Sequence, residues 1–305
     1  MSAISVASAY DLLFPGLRKV TGEYKDLDRI YPKIYHVDKS NMAVERTASM
    51  RYLGLAALKN EGMPTPFDNQ AGERYIYNQY HKEIGLGYAF TRRMVDDNLY
   101  KRQWRPSNLG LQKSFNQTKE IYGAYPLNTA TTYDPTILGD QQPLCSLNHP
   151  IDGGVVPNRF TVDMDLNEAS LLNAQASIRG LFRDNAGLRM QARAKRLIVP
   201  IALEPIAIRL LKTVLRPGTS DNDVNAILET SGGIPDGFLV HDYLTSPTYW
   251  FVLTDQEGLL YLQRVAFEMS MQVDFSTDNL LIKGYERYSF GYFDWRALWG
   301  SFPTQ

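Results

Sequence analysis

TRRMVDDNLYKRQWRPSNLGLQKSFNQTKEIYGAY, residues Thr91–Tyr125, reads as one long, mostly polar helical element interrupted at Pro106. Met94, Val95 and Leu99 fall at helical spacing and Trp104 follows. Leu111, Phe115, Ile121 and Tyr122 continue the same thin apolar line. A helix of 35 residues would reach roughly 50 Å, more than a compact domain of this size needs. Proline removes a hydrogen bond from a helix interior, at about 3 kcal/mol, yet is harmless in a first turn. The expectation is a kinked or two-piece helix, with Arg105 leaving helical geometry.

On the N-terminal side, the segment RIYPKIYHVD (residues 29–38) reads as a strand with an edge proline. Polar residues, Gly and Pro then alternate with short β-like runs as far as Phe90. Arg74–Tyr80 is rich in β-formers, and Glu61-Gly62-Met63-Pro64 and Asp68-Asn69 are turn chemistry. The whole of 29–90 reads as a long two-stranded excursion with little core of its own. An isolated hairpin is marginal in water, so this one must lie on another surface: a lid in a monomeric enzyme, a neighbour in an assembly. Residues 1–28, with the Pro15-Gly16 turn, read as an arm that packs on something else.

On the C-terminal side, breakers run from Pro126 to Pro157, with a strand expected at Pro143–Leu147. Leu166–Gly187 reads as a helix, with Asn167 as its N-cap and Gly187 as its stop. The sequence RLIVP (196–200) has the pattern of a buried central strand. Leu203–Leu215 reads as a second helix with Pro205 in its first turn. Gly237–Tyr243 and Tyr249–Thr254 read as strands, so residues 163–255 form a compact α/β unit. From Glu257 the chain is nearly all β, with a turn at Ser276-Thr277-Asp278-Asn279. Leu280, Ile282, Tyr288, Phe290 and Tyr292 share one strand face.

The 305 residues are 44% hydrophobic and 21% charged, with net charge −1, a globular composition without the excess that would mark a protein wrapping nucleic acid or coating an anionic membrane. No apolar run reaches membrane-spanning length, and the N-terminus lacks the features of a signal peptide. A single cysteine, Cys145, excludes an intramolecular disulfide framework. Nineteen tyrosines supply contact area with a polar tip, which suits interfaces. His36, His81, His149 and His241 have no metal-ligand spacing, and no phosphate-cradling loop or nucleophile elbow is present. Asp163 and Asp165, at i and i+2, are the best carboxylate pair for Mg²⁺; the competing reading is a polar strand edge running into a helix start. The densest basic run, RMQARAKR (189–196), fits a solvated face or carboxylate partners on another subunit better than nucleic acid. No catalytic, cofactor-binding or metal constellation emerges.

The order of parts is arm, long hairpin, long helix, α/β unit and closing β hairpin. It resembles the major capsid proteins of tailed bacteriophages with the Hong Kong 97 fold, and most nearly the Mu-like major head subunit branch. Gln117-Thr118-Lys119-Glu120-Ile121 with Leu127-Asn128-Thr129-Ala130 resembles the end of that family's spine helix. Asn148-His149-Pro150 with Gly153-Gly154 resembles the loop leading out of it. Leu197-Ile198-Val199-Pro200 with Leu203-Glu204-Pro205 resembles the axial strand and helix. Trp250-Phe251-Val252-Leu253-Thr254-Asp255, the Lys283–Gly291 segment and Asp294-Trp295-Arg296 resemble the final strands. The likeness runs from Tyr24 to Ser301.

That resemblance implies an α+β, Hong Kong 97-like capsid fold. It would comprise an N-terminal arm (1–28), an extended loop (29–90), a spine helix (91–131), a peripheral domain (132–160 and 256–305) and an axial domain (161–255). The implied function is structural: self-assembly as pentamers and hexamers into an icosahedral shell around double-stranded DNA, in a virion assembled in the host bacterial cytoplasm, with no enzymatic turnover and no cofactor. Implied partners are other copies of the chain, scaffold, portal and cement proteins, and DNA contacted non-specifically; no membrane is involved. Candidate assembly contacts are Arg46, Lys59, Glu61, Arg74, Glu83, Arg92, Arg93, Asp96, Asp97, Arg105, Arg193 and Arg196. No long scaffolding segment precedes the arm, and no motif matches the Lys–Asn cross-link of the fold's namesake. Two alternatives remain: an encapsulin-like compartment holding cargo enzymes, and a Mg²⁺-dependent enzyme using Asp163 and Asp165.

Overall fold

The computed structural model describes residues 29–97, 100–213, 227 and 233–304; the expected arm, 1–28, lies outside them. A 3-10 turn at Tyr31–Lys33 leads into β1 (His36–Lys39), then the hairpin β2 (Val44–Arg51) and β3 (Gly72–Tyr80), then β4 (Lys82–Phe90). Helices α1 (Arg92–Asp96) and α2 (Tyr100–Asn128) come next, followed by the short strands β5 (His149–Ile151) and β6 (Gly154–Val156). Helix α3 (Glu168–Leu181), β7 (Ala194–Val199), α4 (Glu204–Lys212), β8 (Phe238–Val240) and β9 (Trp250–Thr254) form the α/β part. The long β10 (Leu259–Val273) and β11 (Leu280–Tyr292) precede β12 (Leu298–Ser301).

These strands build two four-stranded sheets, ordered β1-β10-β11-β4 and β12-β9-β7-β8. The continuous apolar runs of β7 and β9 have one cause: both faces of their sheet are covered. Leu197, Val199, Trp250, Val252 and Trp299 point into a core shared with α3 and α4. Their strand neighbours Ile198, Phe251, Leu253 and Leu298 point the other way, into a core with Tyr31, Leu127, Leu259 and Tyr288. Strand alternation thus welds the α/β part to the rest of the chain. The expected self-contained unit is not self-contained, because β12, from the C-terminus, supplies its edge strand beside β9.

Helix α2 lies across the first sheet. At 29 residues it is about 44 Å long. Leu111 and Phe115 meet Phe267, and Leu127 reaches the second core. Gly284 of β11 makes room for this crossing, since a Cβ there would stand 2.8 Å from the Phe115 ring. The interruption expected at Pro106 is absent: α2 continues through it, and Arg105 stays helical. The break instead follows α1, where Asp97 leaves helical geometry. One lost amide bond is outweighed by packing on both sides, with Trp104 stacked on Phe90 and Leu111 buried.

Other expectations change for local reasons. The segment 29–38 is not a single strand, because Pro32 sits in a 3-10 turn that buries Tyr31, Ile34 and Tyr35; only β1 extends, parallel to β10. The excursion is correspondingly shorter than 29–90, since β4 pairs with β11 in the body. No strand forms at 143–147, where Cys145 N–H donates to the Ala130 carbonyl and Ser146 N–H to the Asn158 side chain. Helix α3 has its expected Asn167 cap in a full capping box with Ser170, but it ends at Leu181. Gly187 instead occupies a left-handed turn (φ 82°) packed against the Asp152 carbonyl.

Candidate assembly surface

Among the described residues, the hairpin has little core beneath it. Its strands pair from Val44–Tyr80 to Arg51–Gly72, with an irregularity between Ser49 and Met50. Beyond that pairing, residues 52–71 project with Tyr52, Leu53, Leu55, Leu58, Met63 and Phe67 all exposed. Leu55, Leu58 and Phe67 expose 83%, 103% and 87% of their reference surface. Covering one such side chain is worth about 1.5–3 kcal/mol, and six together in one loop exceed the scattered apolar exposure normal for a surface. The tip turns where expected: Gly62 has φ 80°, and Met63 N–H donates to the Asn60 carbonyl at 3.2 Å. Asp68 shapes the return, accepting from Gly54 N–H (2.8 Å) and Gln70 N–H (2.9 Å), and these bonds hold its carboxyl below the usual range.

The inner part of the hairpin is fastened to the body. Asn78 N–H donates to the Ile137 carbonyl, and Gly139 N–H to that of Ile76. Gly139 has φ 63°, and a Cβ there would lie 2.3 Å from the Tyr77 ring, so glycine is required. At the outer end, Asp152 in the β5–β6 turn takes Arg51 Nε at 2.5 Å and Arg74 Nη1 at 2.6 Å. The hairpin's exits meet at His81, whose Nε2 lies 2.9 Å from Ser40 Oγ and whose Nδ1 lies 3.0 Å from Ser289 Oγ. Burial, followed by the Arg287 charge, lowers the pKa of this histidine.

The charged candidates fall into two groups. Arg74 is engaged by Asp152, Arg196 by Asp236 (3.1 Å) and the Lys33 carbonyl, and Arg92 by Asp278 (3.1 Å) and Asp96 (3.6 Å); Glu83 faces Arg287 at 3.8 Å. Arg46, Lys59, Glu61, Arg93, Asp97, Arg105 and Arg193 are exposed. Lys59 and Glu61 lie on the hairpin tip, Arg46 on β2, Arg93 and Asp97 at α1, Arg105 on α2, and Arg193 just before β7. The basic run has a local use as well: Arg189 Nε and Nη2 donate to the Arg179 carbonyl at the end of α3, at 3.2 and 3.1 Å, which caps the helix.

The candidate chemistry is absorbed into the framework. Asp163 pairs with Arg159 and accepts Phe302 N–H at 3.1 Å. Asp165 is exposed, and its backbone carbonyl accepts Ser170 Oγ–H. Among the described residues no three His, Cys, Asp or Glu side chains gather as a metal site. His149 is buried between Asp140 (2.6 Å) and Asn158 (3.1 Å) and stacks on Trp295 at 4.3 Å. Asn158 in turn donates to the carbonyls of Leu144, Trp295 and Leu298, tying the loop after α2 to the C-terminus. Cys145 is buried, and burial pushes its thiol pKa up, away from reactivity. No described helix is long and apolar enough to cross a membrane.

One pair escaped the sequence reading. Lys119 of α2 and Glu286 of β11 form an ion pair with side chains 1% and 0% exposed, and the Tyr31, Tyr261 and Tyr288 rings lie 5.2–5.9 Å from the ammonium. Burial pulls the Lys119 pKa down while Glu286 opposes it. The neighbouring Glu120 accepts Ile30 N–H (2.8 Å) and Tyr31 N–H (3.1 Å), so consecutive residues of α2 anchor both the sheet and the chain entry. The signal was present in the sequence: Glu286 shares the parity of the apolar positions 280, 282, 288, 290 and 292, which predicts a buried acid in need of a cation.

A family model described as "Phage capsid protein" matches residues 81–300. No curated protein sequence matches the chain. Among solved structures, the capsid of a native GTA particle superposes with TM-score 0.56 at 9% identity, covering 91% of this chain and 92% of that one. The procapsid of bacteriophage JBD30 gives 0.54 at 12% identity, covering 98% and 76%. A virus-like particle from Pyrococcus furiosus gives 0.54 at 10% identity, covering 95% and 99%. Identities this low establish the fold alone, and that fold is the Hong Kong 97-like capsid fold expected from the sequence. The likeness does not separate one kind of shell from another; the family model does.

Proposed function

The chain belongs to the phage capsid protein family, and from that premise we propose how its parts serve a shell. It is a structural major capsid protein that assembles with copies of itself into a virion shell; it is not an enzyme. The observation that carries the assembly mechanism is the hairpin tip. Six large apolar side chains on residues 52–71 are exposed, uncovered for most of their surface by the described residues of their own subunit. On a neighbouring subunit the same side chains would be covered. Each contact is modest, but a closed shell repeats it in every subunit, so small gains add through multivalency.

In this reading the peripheral domain is the sheet β1-β10-β11-β4 with α2 across it, and the axial domain is the sheet β12-β9-β7-β8 with α3 and α4. The axial parts meet around fivefold and sixfold axes as pentamers and hexamers. Arg46, Lys59, Glu61, Arg93, Asp97, Arg105 and Arg193 supply intersubunit charge contacts, because they reach solvent around the hairpin, the helix start and the axial edge. The enclosed cargo is double-stranded DNA, touched non-specifically. A net charge of −1 supports this, since a strongly basic lining would bind the genome and hinder its packing and release. Scaffold, portal and cement proteins complete the particle, which assembles in the host cytoplasm. Co-expression with a scaffold and electron microscopy of purified particles tests the proposal. Closed shells containing DNA support it, and shells filled with a cargo protein would favour a compartment instead.

A further inference from the structure

We propose that Asp152 is a latch that holds the base of the hairpin to the body of its own subunit and so sets the direction in which the tip meets a second copy. The inference rests on the shell reading for its consequence but not for its geometry.

Three observations converge on this point. The two carboxylate oxygens of Asp152 are divided between the two strands of the hairpin: Oδ2 takes Arg51 Nε, from the end of β2, and Oδ1 takes Arg74 Nη1, from the start of β3. One carboxylate therefore grips both strands just where regular pairing stops, at Arg51–Gly72. Second, Asn185 repeats the grip from the α3–β7 loop. Its Nδ2 donates to Ser49 Oγ (2.7 Å) and the Met50 carbonyl (2.8 Å), and its own carbonyl accepts Arg74 Nη1 (2.6 Å) and Asp152 N–H (3.2 Å). Those bonds land on the irregularity between Ser49 and Met50, where the ladder is weakest. Third, the gripping loops are themselves rigid. Gly187 packs against the Asp152 carbonyl in a left-handed turn, and Arg296, from the C-terminal segment, donates to Asn185 Oδ1 (3.0 Å) and the Arg183 carbonyl (2.6 Å).

Outward of this point the 52–71 loop is braced by its own bonds, Asp68 accepting from Gly54 and Gln70 N–H and Arg51 donating to Asp68 and Gln70, while inward the Ile76–Asn78 stretch of β3 is tied to residues 137–139. The latch therefore separates a fixed half of the hairpin from a movable one. The Asp152 side chain is 36% exposed, so water can replace either arginine. The grip is strong enough to bias the hairpin and weak enough to open when a neighbour rewards another angle. The Arg51 hydrogen bond, with the Arg74 and Arg51 charges, holds the Asp152 carboxyl below its usual range.

Amide hydrogen exchange on the purified full chain tests this, with assembly state matched by sizing before labelling. In Asp152→Ala, peptides covering 44–51 and 72–76 should exchange about tenfold faster, while those of β7 and β9 stay protected. Asp152→Glu should restore most of the protection. Unchanged exchange in the hairpin of a folded Asp152→Ala protein overturns the latch. If that variant loses protection in β7 and β9 as well, the Arg51→Ala/Arg74→Ala double variant takes its place, with the same two outcomes. Shell formation by the unmodified chain is scored separately by negative-stain microscopy. The latch can thus fail with shells intact, and shells can fail with the latch intact.

Discussion

Replacing Lys119 with methionine separates the two roles of the buried pair beneath α2. The substitution keeps length and apolar stem but removes the ammonium from among Tyr31, Tyr261 and Tyr288, and so takes its ion-pair partner from Glu286, which is 0% exposed. Removing one partner of a buried ion pair costs about 3–5 kcal/mol. Glu286→Leu should cost a similar amount, because it removes the same ion pair from the other side. The double variant Lys119→Met/Glu286→Leu removes both charges and fills the space with apolar atoms. Such exchanges come out near neutral, within about 1–2 kcal/mol. The coupling energy of the cycle is therefore expected at roughly 4 kcal/mol or more. The assay is denaturant unfolding of the unassembled chain, followed by intrinsic fluorescence, with midpoints compared at constant slope. A double variant as unstable as the sum of its parts would refute the reasoning, because each side chain would then be held by contacts other than its partner.

Two further outcomes follow from the same geometry. Leu55→Asp and Leu58→Asp lie beyond the latch with no core beneath them. Either should leave the subunit's thermal midpoint unchanged and sharply reduce shell yield, each lost contact being worth about 1.5–3 kcal/mol; sedimentation and calorimetry on one preparation check both. His241 is fully buried, its Nδ1 accepts Tyr243 N–H, and burial lowers its pKa to about 4. Unfolding lets it take up a proton at its ordinary value of 6.5, so stability present above pH 6.5 declines as the pH falls towards 4. The shift corresponds to about 3 kcal/mol. His241→Phe should abolish that part of the pH dependence of the melting temperature, and parallel curves for variant and parent would disprove it.

Much of this fold was written in local patterns. The apolar run 197–200 announced a strand buried on both faces, 249–254 announced a strand, and the shared parity of Leu280, Ile282, Tyr288, Phe290 and Tyr292 announced one face of β11. Asn167 announced a cap. What failed had tertiary causes. Pro106 reads as a helix breaker, but Trp104 on Phe90 and Leu111 in the core hold the helix through it. The segment 29–38 looked like a strand until its tyrosines proved to be core residues under Glu120. The pairing of β12 with β9 joins residues far apart in sequence and leaves no periodic trace. For the assembly surface, the coreless hairpin was legible from composition. Its division into a gripped half and a projecting half was not, because Asp152 reaches Arg51 and Arg74, and Asn185 reaches Ser49 and Arg74, across 78 to 136 residues of chain.

The most direct test of the account is electron microscopy of the purified full chain, alone and co-expressed with a scaffold, at concentrations spanning those reached in an infected cell. Closed icosahedral shells built of pentamers and hexamers, with the 52–71 loop of each subunit resting on its neighbour, are the predicted result. A chain that stays monomeric under every condition, or shells in which residues 52–71 touch no other subunit, would contradict it.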